Sequence, residues 1–120
     1  MDEVKIRLAA LWVAAMLIYL LGDVLRIFSG DMKPGEIDGV PATQGMWLGI
    51  AVIMLTPIVM VILSVLLDYP ANRWVNIIVT IVWVLFNIAG LPYASAFDNF
   101  LIAVSFVVNA LTLWTAWNWV

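Results

Sequence analysis

Asp23 and Arg26 are the charged residues of this chain best placed to do chemistry. They stand three positions apart, a spacing that lets an acid and a base pair on one helix face. The apolar run ahead of them, Leu8 to Gly22, makes only about 22 Å of helix at roughly 1.5 Å per residue, too little to cross a bilayer. The helix therefore carries both charges into the edge of the hydrocarbon, where pairing lowers the cost of placing them. Two roles fit: a paired anchor at the membrane surface, or a gate or ligand contact facing the bundle. Uncharged polar side chains form two further groups. Asn76, Thr80, Trp83 and Asn87 fall on one face of a helix, and Ser105, Asn109 and Thr112 on one face of another. Amides and hydroxyls among acyl chains seek partners, so the two stripes are expected to face each other or the bundle axis and to hydrogen-bond between helices. A polar path for a small solute is the alternative. Neither stripe holds an ionisable group, which argues against a proton relay.

Residue type excludes much other chemistry. The chain has neither Cys nor His, which removes disulfides, thiol redox steps, Cys or His ligation of zinc and haem, and His-dependent triads. Asp31, Glu36 and Asp38 offer oxygen ligands, but they lack the alternation about a central Gly that a calcium loop requires. They read as a solvated acidic loop. Five Lys and Arg against eight Asp and Glu leave a net charge of −3, so there is no basic field for nucleic acid and no polybasic lipid anchor. No catalytic residue, cofactor site or metal site is predicted, and the chain is expected not to be an enzyme.

Four apolar stretches must position these side chains: about Ile6 to Phe28, Met46 to Leu67, Trp74 to Leu91 and Phe100 to Val120. Each approaches the roughly 20 residues a helix needs to cross a bilayer. The chain is 66% hydrophobic and 11% charged with a mean hydropathy of +1.11, whereas a soluble domain is about half apolar and a quarter charged. A chain of 120 residues cannot bury that excess internally, so lipid is its solvent. Backbone in lipid must satisfy its own hydrogen bonds, and these runs lack the alternation of barrel strands. The fold expected is an all-α integral membrane four-helix bundle, one domain over residues 1–120, with a polar loop at 29–45.

Local signals refine the boundaries. Ser29-Gly30 stops the first helix, with Gly in the left-handed conformation. Asp68 to Arg73 is a tight connection in which Asn72 caps the third helix; Gly90-Leu91-Pro92 ends that helix, and Ser95 or Asp98 starts the fourth. Pro57 removes a backbone donor in mid-span and predicts a static kink rather than a hinge. Trp47, Trp74, Trp114, Trp117 and Trp119 read as interfacial belts rather than a ligand cage, and Trp12 and Trp83 as deeper packing residues. Lys5 and Arg7 ahead of an apolar run fit a signal peptide, but no small-x-small cleavage pattern follows, so a retained helix is expected. An even number of spans puts both termini on one side. That side carries Lys5, Arg7 and Arg73 near span ends, and the other carries Arg26 and Lys33, which places the termini in the cytoplasm.

The pattern Leu8-x-x-Leu11-Trp12, Asp23-Val24-Leu25, Pro57-x-x-Met60-x-x-Leu63-Ser64, Asn72-Arg73-Trp74-x-Asn76-Ile77-Ile78 and Trp114-x-Ala116-Trp117-x-Trp119 resembles, over nearly the whole chain, a family of small four-span bacterial membrane proteins known as a domain of unknown function. The resemblance implies a bacterial inner-membrane protein and supplies no activity. It also implies a carboxylate near position 55, another near 105 and a base after the Ser of the second span. Here Leu55, Ser105 and Val65 stand at those places, so a function carried by those charges would be lost or altered. The reading is a multi-pass scaffold, accessory subunit or apolar-ligand-binding bundle, with membrane lipids and a homo-oligomer or larger membrane complex as partners. A small-solute transporter or exporter is the alternative, weakened because every acid lies at a span end or in a loop.

Overall fold

The computed structural model describes residues 3–31, 33–37, 40–89 and 95–119. Four helices dominate it: α1 Glu3–Ser29, α2 Gln44–Leu66, α3 Ala71–Ala89 and α4 Ala96–Trp117. Each is long and apolar enough to cross a membrane. All four begin before the apolar runs do, because hydropathy marks the depth of hydrocarbon while a helix continues into the polar interface. At its start α2 is capped by Thr43, whose hydroxyl accepts from the Met46 N–H at 3.2 Å. It then runs unbroken through the buried Pro57. The stretch expected as an irregular polar loop contains a minimal antiparallel hairpin, β1 Glu36–Ile37 and β2 Val40–Pro41, with Glu36 opposite Pro41. Two-residue strands carry no readable alternation, which is why the sequence did not reveal them. Gly30 ends α1 at a φ of 85°, in the left-handed region as anticipated. The expected stop at Gly90-Leu91-Pro92, Asp38 of the loop and the last residue of the fourth span lie outside the described residues.

Packing follows the order α2, α1, α4, α3, with α1 against both α2 and α4, α3 against α4, and α2 scarcely touching α3. The polarity of the bundle is inverted relative to a soluble protein. Large hydrophobics such as Leu48, Val52, Val82, Leu85 and Val107 are exposed, while Ser64, Asn72, Asn76, Thr80, Asn87, Asp98, Ser105, Asn109 and Thr112 are buried. An apolar surface of this extent is stable only against lipid. Apolar packing concentrates at the two ends: Leu8, Ile77, Ala116 and Trp119 at the end bearing the termini, and Ala15, Tyr19, Trp83 and Ile102 towards the other. Trp119 therefore corrects the belt reading. It is buried beneath Tyr69, its ring 5.5 Å away, whereas Trp47, Trp74, Trp114 and Trp117 stay exposed.

The end bearing the termini is tied by polar contacts that connect helices. Asn72 does not cap α3. Its amide instead donates to the carbonyls of Ser64 and Leu67, at 2.7 and 3.0 Å, and so satisfies the end of α2. Arg73 serves α4 similarly, donating to the carbonyls of Ala116 and Trp117 at 3.0 and 3.1 Å while its guanidinium lies over the rings of Trp74 and Trp117. Lys5 pairs with Asp68 at 3.0 Å.

Candidate functional site

The residues singled out in the sequence divide into three groups in space. Asn76 lies in a saturated network at the terminal end. The Trp12 indole donates to its Oδ1 at 2.7 Å, Ser64 donates to the same atom at 3.4 Å, and its Nδ2 donates to the Oδ1 and the backbone oxygen of Asn72 at 2.7 and 3.0 Å. Three helices are joined there with every amide position occupied, which is a structural arrangement. A second group sits in mid-bundle. Ser105 and Thr112 turn back onto their own helix, donating to the carbonyls of Ile102 and Val108. The Thr80 hydroxyl and the Asn109 amide nitrogen are buried without a partner among the described residues. Both stripes are buried; Asn76 and Asn87 of the α3 stripe hydrogen-bond between helices, to α1 and α2, whereas Ser105 and Thr112 of the α4 stripe are satisfied within their own helix.

The third group surrounds a cavity of about 140 Å³ near the end opposite the termini, walled by all four helices. Helix α1 contributes Tyr19, Gly22, Asp23 and Arg26, α2 contributes Met54, α3 contributes Trp83, Phe86 and Asn87, and α4 contributes Asp98, Leu101 and Ile102. Helical spacing makes this local set from α1: residues 19, 22, 23 and 26 fall on one face. Gly22 lies beside α4: a Cβ there would sit 3.7 Å from an Asp98 oxygen, in ordinary van der Waals contact.

Charge gathers at one side of the cavity. Asp23 accepts from Arg26 Nη1 at 2.6 Å, as the spacing predicts, and Arg26 Nε lies 3.0 Å from both oxygens of Asp98. The Asp98 side chain is 5% exposed, that of Arg26 21% and that of Asp23 44%. Asp98 is thus no simple helix start. Ser95 holds the N-cap position of α4 but makes no cap bond, its hydroxyl turning instead to Asp31. Asp98 in the first turn reaches across to α1 while sitting at the end of its helix where a negative charge is favoured. It is the residue that sequence reasoning missed. A Ser and an Asp three positions apart signal a helix N-terminus, and nothing local reveals a partner 72 residues away.

Aromatic and amide side chains make up much of the remaining lining. Asn87 donates to the Tyr19 hydroxyl at 3.0 Å. Tyr19 meets Trp83 edge-on at 5.6 Å, and Trp83 stacks on Phe86 at 5.7 Å. Trp83 is 6% exposed, yet its indole N–H has no acceptor among the described residues. A buried donor without a partner forfeits its hydration, at a cost of about 1–3 kcal/mol. Here it stands in the wall of a cavity, where an oxygen atom of an occupant would satisfy it.

Residues 1–116 match the family described as a family of unknown function, DUF6326. The chain belongs to that family. No curated protein and no solved structure matches it. Of the positions at which the family resemblance implied charges, Leu55 is 49% exposed on the outer face of α2, while Ser105 is fully buried. A carboxylate at the first would face lipid, and at the second the bundle interior.

Proposed function

We propose that this DUF6326 protein is a non-enzymatic multi-pass membrane bundle that binds a small, mainly apolar molecule carrying a polar group in the cavity between its helices. One observation carries the reading: the Trp83 N–H, without an acceptor among the described residues, in the wall of a cavity that combines aromatic and aliphatic side chains with Asp23, Arg26, Asn87 and Asp98. Apolar cavities of about 150 Å³ take up molecules the size of benzene, and ligand sites typically pair apolar walls with a few oriented polar groups. The non-enzymatic part rests on the lack of His and Cys and on the engagement of both nearby carboxylates by Arg26. Surrounding lipid is its first partner, and a homo-oligomer or larger membrane complex is the setting in which such a bundle would act as scaffold or accessory subunit. The family resemblance supports placement in a bacterial inner membrane, and Lys5, Arg7 and Arg73 at one end support cytoplasmic termini. A periplasm-restricted reporter active at the C-terminus would reverse that orientation.

Native mass spectrometry of the protein released from lipid nanodiscs tests the binding role. A small molecule is expected to accompany the wild-type chain and to be lost from Gly22→Leu, which fills the cavity. Bare polypeptide in both cases would rule the role out. Transport of a small solute is the second reading, favoured by the burial of Asp98 beside the cavity. Solute flux into liposomes that depends on Asp98 would select it over static binding.

A further inference from the structure

The cavity carries an unbalanced charge. Asp23 and Asp98 bring two negative charges to it and Arg26 one positive charge, held between them. Among the described residues neither carboxylate has a second cation within ion-pair distance, and Lys33 makes no ion pair. One negative charge is left at the edge of a low-dielectric bundle, where attraction for a counter-charge is several times stronger than in water. Arg26 Nε takes both oxygens of Asp98, whereas the half-exposed Asp23 gives Arg26 one oxygen only. Asp23 therefore keeps a carboxylate oxygen for an occupant. The same cavity is lined by the rings of Tyr19, Trp83 and Phe86, and aromatic ring faces attract cations.

We infer that the cavity selects a small organic cation: an ammonium group placed at Asp23, with an apolar body against Trp83 and Phe86 and an oxygen within reach of the Trp83 N–H. This rests on the reading of the cavity as a binding site and adds the class of ligand. The same ammonium chemistry is offered by a free amine and by an amine-bearing lipid headgroup.

The test uses three compounds of nearly equal shape that differ in charge: choline, its neutral carbon analogue 3,3-dimethyl-1-butanol, and the anion 3,3-dimethylbutyrate. Each is titrated calorimetrically into the full chain in phosphatidylglycerol nanodiscs, with empty discs as the blank. Choline is expected to bind saturably and at least about tenfold more tightly than the neutral analogue, a difference of about 1.4 kcal/mol. Asp23→Asn is expected to bring the two within about twofold, while Asp23→Glu keeps the preference, each variant checked for native helicity by circular dichroism. Equal or tighter binding of the neutral analogue or the anion to the wild-type chain would overturn charge selection and leave the cavity as a binding site. No saturable binding by any of the three would overturn both readings. Repeating the choline titration with phosphatidylethanolamine in the discs separates the sources. Weakened binding identifies a lipid headgroup and unchanged binding a free solute, and either sustains selection of the cation.

Discussion

Asn76 and Asn109 are the same amide in the same kind of surroundings, and they contribute oppositely. Asn76 accepts from the Trp12 indole and donates twice to Asn72, whereas the Asn109 amide nitrogen is buried with no acceptor among the described residues. Asn76→Leu should destabilise the bundle by about 2 kcal/mol, since it strands the Trp12 donor and an Asn72 acceptor. Asn109→Leu should be neutral or stabilise it by up to about 1 kcal/mol, because the desolvation of an unanswered amide is removed. Thermal melts in a mild detergent compare the two. An equal loss in both would mean that a buried water completes Asn109. The Asp98 contact is the other test at this scale. Asp98→Asn keeps the shape and removes the charge facing Arg26 at 21% exposure, so a loss of about 2–3 kcal/mol is expected, readable in the same melts. The Asp23–Arg26 pair was legible in the sequence because one helical turn joins its members. The Asp98 partner was not, since a contact between two helices leaves no trace in the spacing along either.

At the level of elements, the chain satisfies helix ends with side chains from neighbouring helices more than with local caps. Asn72 at the start of α3 closes the end of α2, and Arg73 closes the end of α4. Local reading of Asn72 as a cap for its own helix was reasonable from residue type and wrong in direction, because the tight connection after Leu66 brings open carbonyls of α2 nearer than the first N–H groups of α3. Arg73→Ala should fray the last turn of α4 without unfolding the bundle. Faster amide exchange confined to about the final turn, with a loss of roughly 1–2 kcal/mol, is the expected signature. Protection unchanged in that turn would show that water serves those carbonyls equally well. Hydropathy located all four apolar helices but placed their starts late, since the first turns, beginning at Glu3, Gln44, Ala71 and Ala96, include polar residues that do not report helix through hydropathy.

For the molecule as a whole, lipid exposure is the property on which stability turns. Val82 is 60% exposed near the middle of α3. On a water-facing surface Val82→Lys would change stability little. In a bilayer the same substitution carries an insertion cost of about 3 kcal/mol, so the fraction of chain recovered in membranes should fall sharply, as read by carbonate extraction. Normal membrane recovery of this variant would mean that the α3 surface meets water or protein instead of acyl chains.

Four membrane-length helices and their inward polar stripes were determined by the sequence alone, because hydropathy and helical periodicity are local properties that every residue of a window reports. Only the tertiary structure decided which polar groups meet. It brought Asp98 to Arg26, joined Asn76 to Trp12, left the Thr80 hydroxyl and the Asn109 amide nitrogen without a partner among the described residues, and formed a cavity beside Trp83. The physical reason is that a single backbone displacement between helices makes or breaks a hydrogen bond, whereas the preference of an apolar face for lipid is indifferent to which neighbour it lacks.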